Sequence, residues 1–331
     1  MKIERIAVIG GGAWGTTLAL IAARAGLQTA LWVREADVAA AINQQHRNPY
    51  LPGIPLEAGI TASTDLSIAK GAQALLLAAP AQHLRSVCRG LRQHVVAGTP
   101  AVICAKGIEE NTGALLSDVV QAELPSTVVA VLSGPTFAPE VARGLPAAVT
   151  LACRDAASGQ ALIEALGSTT FRPYLSADIV GAQVGGGVKN VLAIACGIVS
   201  GRRLGDNARA ALVTRGLAEI QRLGRALGAQ PATLMGLSGL GDLVLTCTSE
   251  QSRNFSLGIA LGRGQSATDV LASRTSVAEG VATSGAVVTL SQRLGIDMPI
   301  SAGVDAIVNR GAAIDEVVSA LLARPFRAEE E

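Results

Sequence analysis

Aromatic residues make up only 2% of the 331 residues, so the core of this chain must be built from aliphatic side chains. Hydrophobic residues still reach 49%, enough for a large core. Such a composition suits Ala-rich helices and buried parallel strands. An excess of charge of one sign is also missing. The 27 basic and 26 acidic residues leave a net charge of +1. That balance offers no field for gripping nucleic acid or an anionic membrane. No apolar stretch of about 18 residues runs free of charge, so no membrane-spanning helix is expected. The start, Met1-Lys2-Ile3-Glu4-Arg5, leads directly into a strand-like run and lacks the pattern of a secretory signal. A cytoplasmic location is the expectation. Cysteines are few: Cys88, Cys104, Cys153, Cys196 and Cys247. Their odd number, wide spacing and lack of a CxxC pair point to buried thiols, not bridges or metal ligands.

What is present is an alternating pattern. Ile6–Ile9, Thr29–Val33, Ala74–Ala79, Ala101–Ala105, Thr127–Leu132 and Ala147–Leu151 read as strands, and Trp14–Ala25 as a helix. Apolar strands alternating with helices predict an α/β unit, a Rossmann-type doubly wound parallel sheet covered on both faces. From about Asp178 the pattern becomes helical, with long stretches at Asp206–Leu227 and Val281–Leu294. The expected organisation is a dinucleotide-binding domain over 1–178, followed by an all-α domain over 179–331.

Gly10-Gly11-Gly12-Ala13-Trp14-Gly15 fits GxGxxG, directly after a strand and at the start of a helix. Small residues let the backbone turn tightly and approach a pyrophosphate. The helix N-terminus then offers N–H groups and the positive end of its dipole. Gly10, Gly12, Ala13, Trp14 and Gly15 are therefore candidate contacts for NAD or NADP. The second strand ends in Arg34-Glu35. Arg34 stands where a 2′-phosphate would lie and can bind it bidentately, which tilts toward NADP, while Glu35 keeps NAD open.

Scarcity also narrows the chemistry. The three histidines, His46, His83 and His94, all lie in the first half, so the helical part has no histidine acid/base. His and Cys form no zinc-ligand cluster. Tyr50 and Tyr174 are followed four residues later by Ile54 and Asp178, so a Tyr-Lys pair is absent. Lysine remains, and there are four: Lys2, Lys70, Lys106 and Lys189. Lys2 and Lys70 read as surface residues. Lys106 and the segment Gly134-Pro135-Thr136 follow strands, at the carboxyl ends where open sheets bind ligands. Lys189 and Asn190 follow Gly185-Gly186-Gly187 in a helical run. Each glycine costs a helix interior about 1 kcal/mol against Ala, so something is expected to pass close to that backbone. A third cluster joins Asp242 to Ser252-Arg253-Asn254. The latter three form a donor fork suited to a phosphate, and Asp242 is placed to orient a lysine or a substrate hydroxyl.

Taken together, these segments resemble the bacterial NAD(P)-dependent glycerol-3-phosphate dehydrogenase family. The matching pieces are Gly10–Gly15, Asn48–Gly53, Lys106–Glu109, Ser133–Ala138, Val188–Val191, Gly205–Ala208, Thr214–Leu217, Gly239–Leu243, Leu245–Ser249 and Ser252–Asn254. They run in family order along nearly the whole chain. The resemblance implies reversible reduction of dihydroxyacetone phosphate to sn-glycerol 3-phosphate, with a role in phospholipid synthesis and a homodimeric state. It implies Lys189 as proton donor and acceptor, and Lys106, Gly134, Thr136, Asn190, Asp242, Thr246, Ser252, Arg253 and Asn254 as substrate contacts. Cofactor contacts would be Ala13, Trp14, Arg34, Tyr50, Lys106, Ala138, Arg253, Val277 and Glu279. Two positions depart from the family pattern: Ala13 and Ala105 each stand where serine is common. A hydroxyacid or 6-phosphogluconate-type dehydrogenase is the alternative within this architecture, but it gives no reason for the Ser-Arg-Asn fork. A non-catalytic NAD(P)-sensing regulator is the alternative outside catalysis, and the intact Lys189, Asn190 and Asp242 argue against it.

Overall fold

The structure, a computed structural model, describes residues 2–272, 278–325 and 328. Eight strands form one sheet: β1 (Arg5–Ile9), β2 (Gln28–Trp32), β3 (Ile60–Ser63), β4 (Ala74–Leu77), β5 (Pro100–Ile103), β6 (Val128–Ser133), β7 (Ala147–Cys153) and β8 (Phe171–Ser176). Their spatial order is β3-β2-β1-β4-β5-β6-β7-β8. The first six are parallel. The helices α1 (Ala13–Arg24), α2 (Ala36–Gln45), α3 (Leu84–Leu91), α4 (Leu116–Glu123), α5 (Ala138–Ala142) and α6 (Ala156–Leu166) connect them. Separate apolar clusters cover the two faces. Ile6, Val8 and Leu76 belong to one, and Ala7, Ile9 and Leu77 to the other. This two-sided burial is why the central strands read as unbroken apolar runs.

The sheet departs from the all-parallel expectation at one pair. β7 runs antiparallel to β6, with Leu132 opposite Leu151, and β8 then runs parallel to β7. Two strands, β3 and β8, escaped the sequence reading. Both are edge strands. β3 has only four residues, and β8 carries Pro173 and buries only Phe171. An edge strand is not buried on both faces and tolerates proline, so its pattern is weak.

Past the sheet the described residues are helical: α7 (Ile179–Gly201), α8 (Asp206–Ala226), α9 (Pro231–Leu234), α10 (Asp242–Thr248), α11 (Arg253–Gly262), α12 (Ala267–Ala272), α13 (Glu279–Leu294), α14 (Pro299–Arg310) and α15 (Ile314–Leu322). A π turn, Leu237–Gly241, leads into α10. α7 is long and apolar enough to cross a membrane by composition, but 89% of that window is buried inside the protein. It is the axial helix of the second apolar body, packed by α8, α10, α11, α13 and α14. Asp178 caps its start by accepting from the Gly181 N–H at 2.8 Å. All five cysteines are buried and unbridged, as their spacing predicts.

Candidate active site

β1 and β4 are neighbours whose onward connections lead to opposite sides of the sheet, so a crevice opens beyond their carboxyl ends. The glycine turn lies there. Gly10 has φ +125°, and a Cβ on it would lie 2.6 Å from the Ala78 carbonyl carbon, so only glycine lets this turn press against the end of β4. A Cβ on Gly15 would lie 1.8 Å from Gly10 O, whereas one on Gly12 would meet nothing within 4 Å. Gly12 therefore faces open space at the start of α1. Gly12 has no side chain to cap α1, and among the described residues no side chain accepts from the first-turn N–H groups of Ala13, Trp14 and Gly15, which leaves them for an anion. A dinucleotide pyrophosphate fits that cradle. Asn48, which the sequence reading placed only within a motif, braces it. Its Nδ2 donates to Gly11 O at 2.9 Å and to Thr16 Oγ1 at 2.7 Å, and its Oδ1 accepts from Tyr50 N at 2.9 Å. Ala138 O accepts from Thr17 Oγ1 at 3.1 Å, which sets the start of α5 beside α1.

Arg34 follows β2 with its side chain 76% exposed. Its Nε and Nη2 both donate to Glu35 Oε1, at 3.0 and 2.7 Å. An exposed pair of this kind is worth about 0.2–1 kcal/mol, so a phosphate dianion can displace it. Tyr50 is exposed, two residues after Asn48, whose Oδ1 accepts from its N–H.

A second constellation forms where the sheet meets α7. Lys106 follows β5, and Lys189 lies midway along α7, buried to 6% relative exposure. Asp242, at the first turn of α10, is fully buried and bridges the two. Lys189 Nζ donates to Asp242 Oδ1 at 2.7 Å and to Thr246 Oγ1 at 2.7 Å. Lys106 Nζ donates to Asp242 Oδ2 at 2.6 Å and to Gly134 O at 3.0 Å. Thr136 Oγ1 donates to Gly134 O at 3.3 Å, on the same loop after β6. Two ammonium groups thus share one carboxylate across the seam between sheet and helices. Burial pushes the Lys189 pKa down to about 8; Asp242 pulls it back up, and Lys106 adds to the lowering.

The Ser252-Arg253-Asn254 segment is the N-terminus of α11. Ser252 Oγ accepts from Phe255 N at 3.2 Å, the usual cap, and keeps its O–H to donate. Asn254 Oδ1 accepts from Gly280 N at 3.1 Å, so its Nδ2 remains the donor. A Cβ on Gly280 would lie 2.6 Å from Asn190 O and 2.9 Å from Asn254 Oδ1, so Asn190 and Asn254 meet across Gly280. Glu279 opens α13 beside them. Burial raises its carboxyl pKa, against the lowering pull of Arg253, Lys106 and Lys189. Lys106, Gly134, Thr136, Lys189, Asn190, Asp242, Thr246, Ser252, Arg253, Asn254 and Glu279 therefore lie around this seam. Gly10, Gly12, Ala13, Trp14, Gly15, Arg34, Tyr50 and Ala138 gather around the glycine turn. Val277 lies outside the described residues. Among the described residues no three His, Cys, Asp or Glu side chains converge as metal ligands.

Residues 5–158 match the family model for the NAD-dependent glycerol-3-phosphate dehydrogenase N-terminus, and residues 178–319 match that for its C-terminus. The chain belongs to the NAD-dependent glycerol-3-phosphate dehydrogenase family. It is 58% identical to a glycerol-3-phosphate dehydrogenase (NAD(P)+) of Rhodospirillum rubrum, over 99% of this chain and 94% of that protein. It is 55% identical to the same-named protein of Parvibaculum lavamentivorans, over 99% of both. Among solved structures it is similar to the glycerol-3-phosphate dehydrogenase of Coxiella burnetii, with TM-score 0.94 and 39% identity over 98% of this chain and 99% of that one. The two departures from the glycerol-3-phosphate dehydrogenase pattern leave the backbone intact. Ala13 still begins α1, and the Ala105 N–H still donates to Leu77 O at 3.2 Å.

Proposed function

We propose that this chain catalyses the reversible reduction of dihydroxyacetone phosphate to sn-glycerol 3-phosphate with NADPH or NADH. The observation that carries this reading is the buried Lys189–Asp242–Lys106 bridge, with the Arg253-Asn254 helix start beside it. When bound, the nicotinamide cofactor supplies a hydride to the ketone carbon. Negative charge then grows on the ketone oxygen, and Lys189 Nζ, as ammonium, stabilises it and gives up a proton. Lys106 holds a second positive charge close by. It turns from Asp242 toward the substrate when substrate enters, and Asp242 then serves Lys189 alone. Thr246 and Asp242 fix the direction of the Lys189 amine, so its remaining proton faces the substrate. Gly134, Thr136 and Asn190 line the same seam. Ser252, Arg253 and Asn254 bind the phosphate at a helix N-terminus, which favours a dianion and fixes the reacting carbon at near-attack distance.

Arg34 reads the 2′-phosphate of NADP after leaving Glu35, and Tyr50, Ala138 and Glu279 complete the cofactor contacts among the described residues. The dinucleotide-binding role belongs to residues 1–178 and the substrate and proton-transfer role to residues 179–331. The working enzyme is a cytoplasmic homodimer that supplies glycerol phosphate for phospholipid synthesis. Purified protein with dihydroxyacetone phosphate and each reduced cofactor tests the activity by loss of nicotinamide absorbance. Turnover with this ketone, and none with a 3-hydroxyacid run in reverse, is the expected result. Cofactor binding without turnover would leave only a nucleotide-binding protein.

A further inference from the structure

The three glycines ahead of Lys189 are not equivalent. A Cβ on Gly187 would sit 3.6 Å from the Gly107 backbone, an ordinary contact. A Cβ on Gly186 would sit 2.6 Å from Ser133 Oγ, but that hydroxyl is buried with no hydrogen-bond partner, so it can rotate away at little cost. Lys106 Cγ, at 3.5 Å from the same point, need not move. Gly185 differs from both. Its Cβ would sit 2.5 Å from Ser238 O and 2.8 Å from Gly239 Cα, which are backbone atoms of the π turn. The turn has no slack behind it. Gly239 is itself pressed on Leu234, where a Cβ would lie 1.9 Å from the carbonyl oxygen. Asp242 follows the turn directly. Gly185 also lies one helical turn before Lys189 on the same face of α7. One bare backbone contact therefore fixes the distance between the helix that carries Lys189 and the turn that carries its carboxylate.

We propose that Gly185 is a positioning residue for proton transfer: by seating the π turn against α7 at backbone contact, it holds Asp242 in bonding reach of Lys189. This rests on the reading of Lys189 as the proton-transfer group. The charged and titratable groups facing Lys189 are Asp242 and Cys247 from α10, Lys106 from the loop after β5, and Glu279 from α13. Among them Asp242 is the main influence favouring the ammonium form. Pushing the π turn outward weakens that influence against burial and Lys106, so the ammonium loses its proton at lower pH.

The test is the pH dependence of kcat/KM for dihydroxyacetone phosphate reduction. For the wild type it should fall on the alkaline side with a midpoint near 8, where Lys189 titrates. Gly185→Ala should lose about tenfold or more in kcat/KM and move that midpoint about one pH unit lower. Gly186→Ala and Gly187→Ala should leave the midpoint in place. Should Gly185→Ala not fold, Gly236→Ala crowds the start of the same turn gently, with a Cβ 3.3 Å from Thr233 O, and should shift the midpoint the same way by less. A fall in kcat/KM with an unmoved midpoint in Gly185→Ala or Gly236→Ala would overturn the proposal, because a merely structural loss scales activity equally at every pH. A wild-type profile with no alkaline fall would instead remove the role given to Lys189.

Discussion

Lys189 is pulled two ways. Its surroundings exclude water, which disfavours the charge, and Asp242 at 2.7 Å restores part of what burial removes. The balance near 8 puts both protonation states within reach of neutral solution, which a reversible acid/base needs. The sign follows directly. In the proposed mechanism reduction uses the ammonium, so kcat/KM for dihydroxyacetone phosphate should be level below about pH 7 and fall tenfold per unit well above 8. Oxidation of glycerol 3-phosphate uses the free amine and should rise with pH until about 8, then level off. Initial rates in both directions at low substrate check this, and two profiles of the same shape would contradict it. Exposed Arg34, among the described residues, pairs with its half-buried neighbour Glu35. Arg34→Ala should raise KM for NADPH by about tenfold or more, on the 1.5–3 kcal/mol typical of charge-assisted hydrogen bonds, with little change for NADH. Equal losses for both cofactors would mean that Arg34 does not read the 2′-phosphate. Lys106 and Lys189 were legible as candidates because lysine is scarce here and histidine, zinc and Tyr-Lys chemistry could be set aside, whereas Thr246, Ala138 and Glu279 came only from the family resemblance. The bonding of the two lysines was not legible. That Asp242 holds Lys106 as well as Lys189 depends on a contact spanning 136 residues, and no local pattern encodes it.

At the scale of elements, glycine sets the spacing between helices. Gly197 and Gly201 on α7 face Gly258 and Gly262 on α11. A Cβ on Gly258 would lie 2.1 Å from Ile194 O and 2.8 Å from Gly197 Cα, so the two helices cross at backbone contact. This crossing sets α11, whose N-terminus is the proposed phosphate site, against the helix that carries Lys189. Gly258→Ala should destabilise the fold by about 1–3 kcal/mol through overpacking, read as an earlier midpoint in denaturant. An unchanged midpoint would show that the crossing has room to spare. Other element-scale features leave little trace in the sequence. Met298 at the start of α14 offers no cap, yet the helix is capped from elsewhere. Glu219 on α8 accepts from Ser301 N at 3.1 Å and Ser301 Oγ at 2.7 Å. Capping rules look within a few residues, so an acceptor supplied by another helix escapes them. The antiparallel entry of β7 is equally silent, because a strand buried on both faces reads the same in either direction.

Over the whole molecule, the proposed roles divide between two apolar bodies. The sheet body carries the glycine turn, Asn48 and Arg34. The helical body carries Lys189, Asp242 and the α11 start. Lys106 and Gly107 reach from the first into the second. The change from alternating strands to continuous helix after Asp178 is legible in the sequence, since the two periodicities differ. The seam between the bodies was visible only as glycines whose purpose the sequence left open. If the division holds, chemistry can be removed without disturbing cofactor capture. The most direct test is therefore Lys189→Ala, measured for dihydroxyacetone phosphate turnover and, separately, for NADPH affinity by fluorescence titration. The account predicts that turnover falls by about 10²–10⁴-fold while the cofactor Kd stays within about twofold. Turnover near that of the wild type, with the protein folded and the cofactor bound, would contradict it.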